Sequence, residues 1–337
     1  MNNVAWIASP SWIPIIVLAL VAVLLIGGLV AMYFITMPIA RKVTDFQLVK
    51  TSPDKWLREC TAPDNEEQVA MWNEGIAWSD ENIAFMKEVM IVNRENMKLY
   101  GEYYDRGADS CVIIIPGRGE CLKYSYFFAK PYADAGLNVL VIDQRARGLS
   151  DGKYDTIGIK EHGDLLEWIA FLEKDHNIHK IWLHGVCIGA VSAILASARE
   201  NPLRSTPAPA SIKGLVLEGA FYNFRESFKE HMKDLGRPVF PVLDECMHLV
   251  KKVAGESTNK YSPYNYIDKI DIPILFIYGR EDKFSRPVKS QKIYEKCKSP
   301  DKQIVWFEHG AHSHLRLTNH EEYDRAVIDF VSKYNVI

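Results

Sequence analysis

No charged side chain occurs before Arg41, and no two of the six cysteines are spaced as CxxC. The first absence excludes a globular N-terminus, because forty residues without a charge exceed what a buried helix of a soluble domain needs. The cysteines are scattered at positions 60, 111, 121, 187, 246 and 297, mostly in or beside apolar runs. That pattern excludes a disulfide framework and a structural zinc site and leaves reduced thiols. Net charge is also scarce: 40 Lys and Arg stand against 43 Asp and Glu, a formal -3, which gives no general electrostatic hold on nucleic acid. With 48% hydrophobic residues the chain is not disordered as a whole. Residues 41–337 are enough for one large core.

What is present first is a membrane anchor. From Ile13 to Phe34 run 22 uncharged residues, about 33 Å of helix against a hydrocarbon core of about 30 Å. The start, MNNVAWIASPSW, lacks the basic opening of a cleaved secretory signal, so an uncleaved single span at 13–34 is expected. Arg41, Lys42, Lys50, Lys55 and Arg58 follow the span and no basic residue precedes it, which places the large domain in the cytoplasm, at the cell membrane. The expected organisation is an anchor at 1–40, a helical or irregular linker at 41–96 packed on the main body, and a main domain at 97–337.

The main domain alternates short apolar runs with longer helical patterns, the signature of crossover units in a mostly parallel sheet with helices on both faces. MKLYGEYYD at 97–105 and CVIII at 111–115 read as an opening hairpin around RGADS. Strands follow at 138–143, 180–185, 213–219, 273–279 and 302–308, and helices at 161–175, 190–200, 286–297 and 320–334. Residues 221–265 break the rhythm with two apolar-faced helical segments around GRPVFP, a small cap inserted between strands. An insertion there overhangs the carboxyl ends of the strands, where open α/β sheets hold their sites.

The sharpest local feature is KIWLHGVCIGA, a strand, then Gly185-Val186-Cys187-Ile188-Gly189, then an alanine-rich helix. This is the context of a nucleophile elbow, in which a strained turn exposes the central side chain and frees the next backbone N–H for an oxyanion. A cysteine holds the place of the usual serine. Taken alone, the pentapeptide also suits a small buried hydrophobe. Asp282, with Glu281 as local competitor, follows the strand PILFIYG, and His309, His312 and His314 follow KQIVWFE. The order nucleophile, acid, histidine is that of a hydrolase triad. The three histidines share one loop with no further ligand at convincing spacing, so no metal is expected. The loop Pro116-Gly117-Arg118-Gly119-Glu120 stands where a second oxyanion N–H is needed, that of Arg118 beside that of Ile188. It lacks the G-K-[ST] ending of a phosphate loop, and no nucleotide or other cofactor is expected. Arg145 and Arg147 suit salt bridges to Asp143 or Asp151, or contact with an anionic substrate.

From about Lys98 to the C-terminus the sequence resembles the bacterial α/β-hydrolases described as lysophospholipase-like, serine-aminopeptidase-like or acyl-esterase-like. The resemblance covers about 240 residues. It rests on PGRGE in place of the family's HG loop, on VIDQRARGLSDGKYDTIGIKEHGDLLEWI, on HGVCIGA in place of G-x-S-M-G-A, on IPILFIYGREDKFSRP, and on GAH followed eleven residues after the His by Tyr323. It implies an α/β-hydrolase fold with Cys187 as nucleophile, Asp282 as orienting acid and His312 as base, the spacing to Tyr323 selecting His312 over its neighbours. Ile188 replaces the usual Met and Pro116 the usual loop His. Cys-His-Asp on this fold is similar to dienelactone hydrolase.

The expected activity is hydrolysis of acyl esters or thioesters through an acyl-enzyme. The substrate is expected to be a small or lipid-like acyl compound held by some of Phe221, Tyr222, Phe224, Phe228, Phe240 and Met247 in the cap, with half or more of these six in the ordinary core. Glu120 either restrains the thiol or sits in a turn. Two alternatives stay open: an aminopeptidase-like peptidase with Glu218 helping to seat the substrate ammonium, and a catalytically inactive membrane-tethered binding protein. The bilayer is the one macromolecular partner the sequence names.

Overall fold

A computed structural model describes residues 12–49, 66–201, 203–204 and 206–335. Cys60 and the basic residues Lys50, Lys55 and Arg58 lie outside the described residues.

Eight strands form one sheet: β1 (Met86–Val92), β2 (Lys98–Tyr104), β3 (Ser110–Ile115), β4 (Asn138–Ile142), β5 (Lys180–Val186), β6 (Ile212–Glu218), β7 (Ile274–Gly279) and β8 (Lys302–Phe307). Their spatial order is β1-β2-β4-β3-β5-β6-β7-β8, antiparallel at the first two pairings and parallel from β4 to β8. Every residue of β3, β4 and β7 is buried, as their near-continuous β-branched and aliphatic composition requires of strands covered on both faces. The mostly parallel fold class expected from the alternating pattern is borne out.

The opening hairpin is a different one from that expected. β2 pairs with β1 and β4, and β3 pairs with β4 and β5, so β2 and β3 are not neighbours. The hairpin is β1–β2, turning through 93–97, where Asn93 Oδ1 accepts the N–H groups of Glu95 and Met97. β1 falls inside the stretch expected to be helical or irregular. Half-exposed along its length, it is an edge strand without a continuous apolar run to announce it.

Among the described residues, the longer helices α3 (Glu161–Asp175), α4 (Ile188–Ser197), α7 (Pro287–Lys296) and α8 (His320–Tyr334) pack on the sheet. The cap consists of α5 (Phe224–Asp234) and α6 (Val242–Ala254), as the break in rhythm predicts. Asn223 caps α5 by accepting the N–H of Glu226. Ahead of the sheet, α2 (Glu66–Glu81) lays Trp72 on Tyr124 and Trp78 on Tyr104.

α1 (Trp12–Leu48) is the one helix among the described residues long and apolar enough to cross a membrane. It continues past the span expected at 13–34 and past the first charges, Arg41 and Lys42. Ala40 is fully buried in a cluster with Phe228, Met232, Val242, Leu243 and Cys246 of the cap, and Leu48 is fully buried in the main core. The helix base is therefore packed as part of the folded domain.

Candidate active site

β5 delivers Cys187 to the turn before α4. Its φ of 54° is a backbone state L-residues avoid, and it is held because strand and helix press together on either side. A Cβ at Gly189 would lie 2.2 Å from the Ile115 carbonyl oxygen, and one at Gly185 would lie 2.5 Å from Ala190 Cα, so glycine is required at both. The Cys187 N–H donates to the Glu218 carbonyl at 3.0 Å. Ile188 is the first residue of α4, so its N–H has no acceptor within the helix.

Asp282 sits in the loop after β7 and is almost fully buried. Its Oδ1 accepts the N–H groups of Phe284 at 2.8 Å and Ser285 at 2.7 Å, and its Oδ2 lies 2.7 Å from His312 Nδ1. Burial alone would raise the Asp282 pKa, but His312 and the two backbone donors outweigh it and hold it below the usual value. Burial alone would likewise strip the proton from His312. Asp282 and then Cys187 reverse this and keep the imidazole pKa well above its ordinary value. His312 Nε2 is a buried atom with no hydrogen-bond partner among the described residues. Gly219, at the end of β6, makes room for the ring: a Cβ there would lie 2.9 Å from His312 Cε1.

The neighbouring candidates separate. His309 Nδ1 faces Glu281 at 3.3 Å, and both side chains are exposed at the cleft mouth. The competitor acid thus pairs with the competitor histidine. In the loop after β3, the Gly117 N–H donates to Glu120 Oε2 at 2.7 Å. Neither the N–H nor the guanidinium of Arg118 has a hydrogen-bond partner among the described residues. Burial raises the Glu120 pKa. Glu120 holds its turn and also faces the cleft.

Arg145 and Arg147 are buried and structural, but with other partners than expected. Arg145 forks onto Asp164 at 2.6 and 2.7 Å, and Arg147 pairs with Asp155. Asp143 and Asp151 instead accept the backbone N–H groups of Leu122, Leu149 and Lys98.

Cys187, His312, Arg118 and Glu120 open onto one cleft of about 1130 Å³. Of the six apolar cap residues expected to line it, only Phe228 does so. Phe221 and Phe224 belong to the main core, Tyr222 packs on Tyr264, Met247 packs against the core clusters, and Phe240 is 72% exposed. The cap contributes His231 and Leu235 instead, and the acid loop contributes Phe284, whose ring lies 5.1 Å from that of His312. Periodicity marks the apolar face of a helix without saying what the face meets. Glu218 is fully buried away from the cleft, with Oε2 accepting the Tyr323 O–H at 2.5 Å, so it offers no seat for a substrate ammonium.

Comparison with known proteins agrees with this fold. Residues 111–244 match the sequence profile described as the alpha/beta hydrolase fold, and residues 258–317 match that described as serine aminopeptidase, S33. An uncharacterised protein of Bacillus subtilis is 29% identical over 64% of this chain and 67% of its own length. An uncharacterised membrane protein of Saccharomyces cerevisiae is 23% identical over 67% of this chain and 73% of its own. Among solved structures, an esterase of Pyrococcus furiosus is similar with a TM-score of 0.61 and 25% identity, covering 76% of this chain and 96% of that one. A monoacylglycerol lipase of Paleococcus ferrophilus shares the fold at a TM-score of 0.53 and 20% identity, over 70% of this chain and 99% of that one.

Proposed function

The chain belongs to the α/β-hydrolase family, and on that premise we propose that it hydrolyses acyl esters or thioesters through Cys187, His312 and Asp282. The observation that carries this reading is convergence: three groups from three separate strand ends meet, with the His312–Asp282 bond at 2.7 Å and the thiol opening on the same cleft as the ring. His312 takes the Cys187 proton, and the sulfur forms a bond to the acyl carbonyl carbon. The backbone N–H groups of Ile188 and Arg118 receive the developing oxyanion. Collapse breaks the bond to the leaving group, which departs with the proton from His312. Water, deprotonated by the same ring, then attacks the thioester and returns the Cys187 thiol.

Phe228, Leu235 and Phe284 give the cleft an apolar side suited to an acyl chain. In this reading α1 crosses the cell membrane once and holds the domain on the cytoplasmic side. The peptidase alternative loses Glu218 as an ammonium seat. A thiol buried beneath the cap would favour the inactive binder; Cys187 is only 6% exposed but lines the cleft. The test is intact-mass detection of an acyl adduct on Cys187 after exposure to an activated-ester and thioester panel, with C187A and H312A as controls. Adduct and turnover absent from both variants support the hydrolase. A well-folded wild type that forms no adduct with any member of the panel overturns it.

A further inference from the structure

The base of α1 is fastened on two sides. On one, Ala40 lies under Phe228, Met232, Val242, Leu243 and Cys246, and the Cys246 thiol donates to the Ala40 carbonyl at 3.4 Å. On the other, Asp155 N–H donates to the Leu48 carbonyl at 2.9 Å and Val49 bridges Tyr154. A helix held at both positions cannot swing relative to the domain. Wherever α1 is set in a bilayer, the cap is set with it.

The helix rise fixes the depth. The span expected from the sequence ends at Phe34, but Ile35, Met37 and Ile39 carry the apolar character on to Ala40, six residues further and just before the first charge, Arg41, about 9 Å along the axis. The headgroup layer on each side of the hydrocarbon is about 5–8 Å thick. With the hydrocarbon edge falling between Phe34 and the first charges at Arg41 and Lys42, the cap meets α1 within the headgroup layer. Beside that contact runs the connection between α5 and α6. Val239 packs against the Ala40 cluster, while Leu235 and Phe240 are 51% and 72% exposed, and Arg237 between them is exposed as well. Two large apolar side chains and a cation on one exposed segment match the chemistry of a membrane interface. Phe228 belongs both to the Ala40 cluster and to the cleft wall, and Leu235 also lines the cleft. Apolar surface thus runs from the helix base to the thiol.

We propose that the cap segment Leu235–Phe240 lies in the headgroup layer of the bilayer that α1 crosses, so that the cleft receives its acyl substrate from the lipid rather than from water. The inference rests on the reading of α1 as a membrane span and on the proposed hydrolase activity, and its test keeps these apart. The full chain carrying C187A and F240C, labelled at position 240 with an environment-sensitive fluorophore, is placed in phosphatidylcholine–phosphatidylglycerol vesicles. C187A alone supplies the background from native thiols, and M90C on the edge strand serves as a solvent-exposed control.

Lipids spin-labelled at the headgroup should quench the label at 240 and leave that at 90 unchanged. In the active full chain, F240E should lower the ratio of bilayer-held to water-soluble ester turnover by about tenfold, the low end for losing burial of a Phe side chain. An unquenched label at 240, a chain released from the vesicles at alkaline pH, or an unchanged turnover ratio would overturn the proposal. Quenching at 240 in the labelled chain, together with a full chain retaining Cys187 that turns over neither ester, supports the interfacial segment and overturns the substrate route along with the hydrolase reading.

Discussion

Replacing Asp282 by Asn preserves the side-chain shape and removes its charge. The carboxylate accepts three hydrogen bonds, two from the backbone N–H groups of Phe284 and Ser285 and one at His312 Nδ1. An Asn that keeps its oxygen on the backbone donors must turn its NH2 toward Nδ1. Two donors cannot share that bond, so the ring proton moves to Nε2, the atom that should receive the proton of Cys187. The charge that holds His312 above its ordinary pKa is lost at the same time. The same replacement in a serine-protease triad costs about 10⁴ in kcat, or about 5 kcal/mol of barrier. We expect a fall of about 10³ to 10⁴ in kcat for D282N on a water-soluble activated ester. The limb of the pH profile governed by His312 protonation should also move to lower pH. Because the Asp282 pKa is depressed, its charge stabilises the fold above the unfolded carboxyl pKa and that contribution is lost as pH falls through the folded value. Urea unfolding should therefore separate the two proteins at pH 7 and bring them together in acid. A D282N enzyme that keeps a tenth of wild-type kcat, or an unmoved limb, would refute the reasoning.

Three further outcomes follow from named contacts. G219A places a methyl group 2.9 Å from His312 Cε1 at a φ of 59°, so thermal unfolding should show a loss of about 1–3 kcal/mol, with kcat falling more than KM rises; unchanged kcat would count against the packing. Glu218 is fully buried with its pKa raised by burial to about 7, so the fold binds its proton more tightly than the unfolded chain and stability falls between about pH 4.5 and 7, by on the order of 3 kcal/mol. E218Q should abolish that slope, and a wild-type minus E218Q difference that stays flat across the window would show otherwise. Arg316 is fully buried, bonded to Asp324 at 2.6 and 2.8 Å, to Glu74 at 2.6 Å and to the Phe127 carbonyl at 2.7 Å. R316M should lower stability by about 3 kcal/mol, and a loss below 1 kcal/mol in urea titration would contradict the network.

The elements read correctly from the sequence are those whose signal is local. β3, β5 and β7 are apolar runs bounded by turns, and α8 is delimited at His320 and Tyr334 by its own periodicity. The order of Cys187, Asp282 and His312 was also legible, because each follows a strand and strand ends in a parallel sheet share one edge. What was not legible depends on partners. β1 shows only a half-exposed alternation, and its pairing with β2 is a fact about neighbours. Arg145 and Arg147 take Asp164 and Asp155 because α3 and the preceding loop bring those carboxylates in, over the nearer Asp143 and Asp151. The base of α1 illustrates the same limit: Ala40 is one small residue in an apolar stretch until the cap is packed against it.

A sulfur at the elbow alters the second half of the reaction more than the first. In the reaction proposed for Cys187, its positive φ, the paired glycines and the N–H groups of Ile188 and Arg118 would serve a thiolate as they would an alkoxide. The leaving groups differ. In the tetrahedral intermediate the Cys187 thiolate departs more readily than an amine or an alkoxide, so amides revert unless His312 protonates the nitrogen, while activated esters and thioesters go forward. A ring whose pKa lies well above its ordinary value is a ready proton donor in that step. The same property makes it a poor base toward water at neutral pH, when deacylation needs the neutral imidazole. Asp282 still holds the proton on the ring after the thiolate has been consumed. Deacylation should therefore be the slower half. A p-nitrophenyl ester at pH 6 should release a burst of one equivalent per Cys187 followed by slow turnover, and the slow phase should quicken as pH rises toward the His312 pKa. Linear release from the first turnover at pH 6 in an enzyme that acylates Cys187 would show that His312 gives up its proton more easily than its surroundings imply.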